Sequence, residues 1–307
     1  MTRRLRIVFA LVLVLSLSAA GEASADTPYR LFHFNMCGQV EGGQCNGGTS
    51  RPVTYVRDQI ETYKPYAVSL NEACKSQFDE IYWGLNSRAL WSVHGHFTTT
   101  KSVSPADPTY ADFNCRADGD GIKRFGNAIF VRQPIFGAPQ EVELPHSTGG
   151  EIRKLTCLVT ALAKGSVVCT THITTRVPAE GSTLPVDYYK DAQIARVKEV
   201  VNTHVNNGTP LVLMGDFNVT PKNSTLDRIY DPVLYGGTAY GLFRELDDDY
   251  GTTGRCRCGA FTTDSETRKI DYIFVSRRDW TTTSGYPTAT GYSDHHTFRG
   301  TATLITP

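Results

Sequence analysis

A set of polar side chains at the ends of apolar runs could together hydrolyse a phosphate ester. Asn35 closes FHFN, Glu72 follows VSLN, His172 ends CTTH, and Asp216 and Asn218 sit in MGDFN. Asp271 opens DYIFVS, and Asp294 and His295 stand in SDHH near the carboxyl end. Mg²⁺ takes hard oxygen ligands, commonly one or two carboxylates plus water and substrate phosphate. A histidine is the natural general base near neutral pH, and a carboxylate on its second nitrogen fixes its orientation. Asp271 and His295 offer that pair. His172 could add an imidazole that donates a hydrogen bond or a proton.

Each residue also has a plainer reading. Asn35 fits an asparagine turn and Glu72 a surface ion pair, while Asp216 and Asn218 could cap the turn at Pro221. His172 could be a buried histidine satisfied by backbone. His296 reads as an exposed neighbour, and His33, His94, His96, His146 and His204 receive no role. Asp247-Asp248-Asp249 could bind Ca²⁺ or simply be solvated. Company and order carry the chemistry, not any single match.

The elements that must position these groups are short. Strands are expected at Tyr29–Phe34, Ala67–Leu70, Ala128–Val131, Leu155–Leu162, Val167–Thr171, Leu211–Met214 and Tyr272–Ser276. Lys164-Gly165 reads as a hairpin turn. Apolar spacing predicts helices over Val53–Tyr63 and Asp187–Val205, the latter with Tyr188, Ile194, Val197 and Val201 on one face. Residues 98–123 and 231–267 read as long surface loops. Alternation places Asp216 and Asn218 on one strand face. Helices beside strands imply layered sheets with helices outside.

Arg3, Arg4 and Arg6, the apolar stretch Ile7–Leu17 and Ala23-Ser24-Ala25 read as a cleaved export signal over residues 1–25. That stretch is shorter than the roughly 20 residues of a spanning helix, and no other long apolar run follows. Without those residues the 31 basic and 31 acidic side chains fall to 28 and 30, a net charge of −2. So small a charge excludes the overall basic field of passive nucleic-acid binding but allows a local basic groove. The 8 cysteines fit an oxidising, extracellular compartment. Cys37–Cys45 and Cys157–Cys169 are the expected local pairs; Cys256 and Cys258 could instead be zinc ligands, although a lone C-x-C lacks the paired spacing.

Taken in order, Asn35, Glu72, His172, GDFN at 215–218, IDYI at 270–273 and SDH at 293–295 resemble the endonuclease/exonuclease/phosphatase superfamily, the DNase I-like fold. The resemblance spans residues 26–307 and implies an α/β four-layer sandwich with two packed sheets. It implies Mg²⁺, with Mn²⁺ or Ca²⁺ as substitutes, held by Glu72 with Asn35 beside it and Asp294 in support. Asp216 and Asn218 would meet the attacking water, phosphate or metal. His295 would be the base, oriented by Asp271, and His172 would act on the phosphate. One departure stands out: Phe125 in RFGNAIF occupies a strand where many members place a tyrosine or glutamate, so Lys123, Arg124 or a loop residue would have to meet the phosphate.

The expected function is that of a secreted, monomeric phosphodiesterase acting on nucleic acid. The basic pairs Lys123-Arg124, Arg153-Lys154 and Arg255-Arg257 are available to phosphates. A phospholipid or small phosphate ester is the alternative substrate; an interfacial enzyme would expose an apolar loop, for which Tyr240–Phe243 is a weak candidate. A binding scaffold without catalysis would not need His295, Asp271 and Glu72 together.

Overall fold

The computed structural model of the chain describes residues 28–38, 41–42, 45–46, 51–87, 92–104, 107–112, 115, 124–147, 150–162, 165–248, 256–265 and 267–305. The expected export signal, Lys123, Lys164, Asp249 and Arg255 lie outside them. Strand β1 (Pro28–Asn35) leads through the small pair β2 (Glu41–Gly42) and β3 (Cys45–Asn46) to helix α1 (Arg51–Tyr63), β4 (Ala67–Cys74) and α2 (Lys75–Asn86). Then come β5 (His94–Thr99), β6 (Lys101–Ser104), β7 (Asp107–Asp112), β8 (Phe125–Val131), β9 (Ile135–Glu143) and β10 (Glu151–Ile152). A hairpin of β11 (Lys154–Thr160) and β12 (Val167–His172) precedes α3 (Tyr188–Asn206) and β13 (Leu211–Asp216). The short α4 (Pro232–Tyr235), β14 (Phe243–Glu245), β15 (Asp271–Ser276), β16 (Trp280–Thr288) and β17 (Thr297–Leu304) complete the order.

Two six-stranded sheets result, β16-β17-β1-β4-β8-β5 and β14-β15-β13-β12-β11-β9. Each contains one parallel pair, β1 with β4 and β12 with β13, and each pair is joined through a helix, α1 or α3. That geometry opens a crevice at the carboxyl ends of the parallel strands, where open sheets bind ligands. Three apolar layers separate the four structural layers. Val56, Ile60 and Ile81 pack on one sheet, and Ile194, Val197 and Val201 on the other; Leu31, Val168, Val212 and Ile273 lie between the sheets. This is the α/β/β/α sandwich. Among the described residues no helix is long and apolar enough to cross a membrane.

Between the sheets, strand alternation makes a change of chemistry along each strand. Leu31, His33 and Asn35 share one face of β1; Ala67, Ser69 and Asn71 are their register partners on β4. Val212, Met214 and Asp216 run up β13, with Val168, Thr170 and His172 beside them on β12. The lower residues are the inter-sheet core. The upper ones are a buried polar layer that ends in the candidate site.

Several expectations need correction. Part of the 98–123 segment is strand, since β5 includes Thr98 and Thr99 and β6 pairs antiparallel with β7. The 231–267 segment holds α4 and β14. Phe243 is fully buried, which removes Tyr240–Phe243 as an interfacial loop. Tyr188 starts α3 but is exposed, outside its apolar face. The hairpin turn holds: Gly165 adopts φ +66 and its N–H donates to Leu162 O at 2.8 Å.

Cys37–Cys45 and Cys157–Cys169 are paired, the latter as direct cross-strand partners. Cys74–Cys115 and Cys256–Cys258 pair as well, so the zinc reading of Cys256 and Cys258 fails for want of thiolates. Asp247 accepts from Lys269 Nζ at 2.9 Å and Asp248 from the Tyr235 hydroxyl at 2.5 Å. Those carboxylates are tied into the fold rather than gathered around a cation.

Candidate active site

The carboxyl end of β4 does not simply stop at Leu70. The strand continues through Cys74, and a register break against β8 between Leu70 and Ala73 turns Glu72 aside with φ +52. This left-handed conformation is costly for a non-glycine residue, and such backbone is held only where its surroundings fix it. Here Gly38 N donates to Glu72 O at 2.7 Å, and Asn35 Nδ2 lies 3.1 Å from Glu72 Oε1. The Glu72 side chain keeps 24% of its surface exposed, so it opens to the crevice.

Asp216 comes from the other sheet. Gly215 allows it to arrive there, since a Cβ at Gly215 would lie 2.0 Å from Thr171 O on the neighbouring strand. Asn71 Oδ1 accepts from Asp216 N at 2.7 Å, and Asn35 Nδ2 lies 3.2 Å from Asp216 Oδ2. One carboxamide therefore spans Glu72 and Asp216. Asn218 does not share the strand face as alternation suggests: β13 ends at Asp216, and Asn218 turns at φ +51. Its N–H donates to Asp216 Oδ1 at 2.8 Å, and its Nδ2 lies 2.9 Å from Ile173 O and 3.2 Å from His172 Nε2. An amide NH₂ can serve both acceptors, which makes His172 Nε2 the acceptor in this network.

His172 Nε2 also lies 3.5 Å from Asp216 Oδ2 and 3.8 Å from Glu72 Oε1. His295 Nδ1 is 2.8 Å from Asp271 Oδ2, and its Nε2 faces Asp216 Oδ2 at 3.8 Å. Thus Asn35, Glu72, His172, Asp216, Asn218, Asp271 and His295 converge. Asp294 stands apart at the rim, exposed, with Oδ1 3.6 Å from Cys45 Sγ and 3.5 Å from Ser293 Oγ. Buried Thr262 braces the start of β15: its Oγ1 accepts from Ile270 N at 3.0 Å and from Asp271 N at 3.1 Å.

Burial and charge set the protonation states. Burial raises the Glu72 carboxyl, against the Asn35 hydrogen bond and the charge of Arg153. Burial and the neighbouring Asp271 push Asp216 up to about 7. For Asp271 burial acts upward too, but His295 and His33 overcome it and hold the carboxyl well below the usual range. For His295 burial acts downward, and Asp271 and Asp216 outweigh it, lifting the imidazole to about 10. His172 is pushed well down, first by burial and then by Arg153, so it stays neutral.

The donor set fits a hard divalent cation. Glu72 Oε1 and Asp216 Oδ2 share the Asn35 amide, and both carboxylates are penalised by burial that a cation would relieve. Asp271 is poorly placed as a ligand because an imidazole occupies each of its oxygens. Asn35 presents nitrogen to the carboxylates, while its Oδ1 accepts from Cys37 N at 3.1 Å; it braces the pair.

A family model described as the Endonuclease/Exonuclease/phosphatase family matches residues 32–295. The chain belongs to this family. Members of the endonuclease/exonuclease/phosphatase family are hydrolytic phosphoesterases, typically dependent on a divalent metal. The human Nocturnin catalytic domain with bound sulfate anion is similar at TM-score 0.63 and 18% identity, over 90% of this chain and 94% of that one. A family structure from Bacteroides vulgatus gives 0.60 at 17% identity, over 91% and 99%. D. rerio TDP2 complexed with single strand DNA product gives 0.53 at 14%, over 90% and 99%. These likenesses show the fold. No curated protein sequence matches the chain.

Against the family pattern Phe125 is accounted for: it is buried beside Cys74 and Cys115, away from solvent. Of the basic pairs, Lys154 bonds Glu141 at 2.8 Å and Arg257 pairs with Asp227, which takes both away from a phosphate. Arg153 instead lies against the site. Its Nη1 reaches Ile173 O, the carbonyl that Asn218 also uses, at 3.4 Å, and its Nη2 is ion-paired with Glu151 Oε2 at 2.7 Å. Sequence reading missed Asn71, Thr262 and His33. Asn71 was legible as the neighbour of Glu72 at a strand end; nothing local marks the other two.

Proposed function

We propose that residues 26–307 form the catalytic domain of an exported, divalent-metal-dependent phosphodiesterase that cleaves nucleic acid, with Mg²⁺ as the working ion. One observation carries the reading: Glu72 and Asp216, from opposite sheets, meet on Asn35 with His172 and His295 at 3.8 Å or less from Asp216 or Glu72. Glu72 and Asp216 would hold the ion, with Asp294 at the rim completing its water shell. When bound, such an ion offsets charge on the phosphoryl oxygens.

The chain's own groups supply the rest. His295 Nε2 takes the proton of the attacking water, and Asp271 keeps Nδ1 protonated and the ring turned toward Asp216. With the carboxylates uncompensated His295 holds its proton; neutralising Asp216 favours releasing it. Neutral His172 and Asn218 hold each other beside the position of the phosphate, and Arg153, ion-paired with Glu151, adds positive charge near Glu72 and His172. The DNA product in the TDP2 relative supports a nucleic-acid substrate. The acid test is turnover of plasmid against phospholipid with Mg²⁺, with Mn²⁺ and with chelator. Metal-dependent plasmid cleavage is expected; lipid turnover without nicking would overturn the substrate.

The second reading, an interfacial phospholipid substrate, is favoured by one feature. The connection after His172 exposes Val177, Leu184 and Val186, the last at 66%. Apolar side chains at such a position suit entry into a lipid headgroup layer.

A further inference from the structure

His33 stands where strand alternation calls for an apolar residue. It lies on β1 between Leu31, part of the inter-sheet core, and Asn35, and it is fully buried. An imidazole placed there forfeits its hydration, which is costly unless its nitrogens are bonded. Both are. Nε2 lies 3.0 Å from Asp271 Oδ1 and Nδ1 lies 3.0 Å from Oγ of Ser69, its register partner on β4. Ser69 Oγ is 2.6 Å from Thr170 Oγ1 across the sheets, and Asn71 Nδ2 points at Thr170 from 3.5 Å.

Donor chemistry gives this row a direction. An amide NH₂ only donates and an ionised carboxylate only accepts. Thr170 can then donate to Ser69, Ser69 to His33 Nδ1, and His33 Nε2 to Asp271. Asp271 has two oxygens: His295 takes one and His33 the other. A carboxylate with a single partner keeps a broad terminal torsion; with an imidazole on each oxygen it keeps one orientation.

We infer that His33 is a positioning residue for the Asp271–His295 pair, clamping the carboxylate so that His295 Nε2 stays aimed at the crevice. The inference rests on the reading of His295 as the base. His33 touches no substrate and acts through Asp271 alone.

The test uses the full chain with Mg²⁺ and bis(p-nitrophenyl) phosphate, and two variants. His33→Leu keeps volume without a donor; His33→Gln places an amide N–H near the Nε2 position. His33→Leu should lower kcat about 10- to 100-fold with KM within about twofold, the range seen when a group supporting a catalytic ligand is lost. His33→Gln should recover most of it. In a His295→Ala background His33→Leu should cost nothing further, because its effect passes through that imidazole. An unchanged kcat in His33→Leu, an equal fall in both backgrounds, or His33→Gln no better than His33→Leu each overturns the inference. If His33→Leu fails to fold in a thermal melt, His33→Asn, whose amide is too short, is compared with His33→Gln on the same terms. Equal turnover by the unaltered protein and His295→Ala overturns the reading beneath as well.

Discussion

Nδ1 of His295 lies 2.8 Å from Oδ2 of Asp271, and the two residues reach each other from different sheets. His295 stands two residues before β17 of one sheet, and Asp271 opens β15 of the other. The bond is therefore a product of how the sandwich closes.

Removing the imidazole should lower turnover. For His295→Ala we expect kcat to fall by ~10² to 10⁴, the contribution of a positioned general base. Steady-state kinetics on a nucleic-acid substrate check this, and near-normal kcat would remove His295 from the chemistry.

In the metal-free protein the stability contributed by the protonated forms of Asp216 and His295 should decline as pH rises. Asp216 is raised from 3.8 to about 7 and His295 from 6.5 to about 10, so the folded state holds both protons more tightly than the unfolded chain. Each contribution is fully present below the unfolded value and disappears as pH passes the folded one, giving a decline from about pH 4 to about pH 10. A cation on the ionised carboxylates acts oppositely. Mg²⁺ should therefore raise Tm more at pH 8 than at pH 5.5, and Glu72→Gln with Asp216→Asn should abolish that rise. Calorimetry with and without chelator decides.

Lys269 is buried beside Glu245 and Asp247, directly before the Ile270-Asp271 step. Lys269→Met leaves the Glu245 charge uncompensated, and breaking such a pair costs about 3–5 kcal/mol. Burial already lifts Glu245 to about 7, so the carboxyl can protonate instead. The loss should shrink as pH falls below 7, which urea titrations at pH 5 and pH 8 would reveal.

The disulfides should differ in worth. Cys74–Cys115 spans 41 positions and Cys157–Cys169 spans 12. Loop-closure entropy assigns about 4 kcal/mol to the first and about 3 kcal/mol to the second. Paired Cys→Ala replacements, compared by denaturant unfolding, should rank in that order.

The layered α/β architecture was legible because its helices and buried strands carry strong apolar periods. Most site residues were legible too, since a polar side chain after an apolar run marks where a buried strand meets solvent. Strands β16 and β17, rich in threonine and glycine, carried no such signal. Nor did α2, which begins directly where β4 ends. His33 was hidden for a different reason: its partner Asp271 is 238 positions away, and only closure of the two sheets makes them neighbours. Asn218 was found for the wrong reason, by alternation, although a left-handed turn delivers it.

Because the polar layer joins Asn35 to Asp216 and His33 to Asp271 across the gap between sheets, catalysis is a gauge of sandwich closure. A slip of one sheet against the other by a single residue step, about 3.3 Å, exceeds what any of these bonds can stretch. Partial loosening should therefore silence the enzyme outright rather than slow it by degrees, well before either sheet loses its own strands.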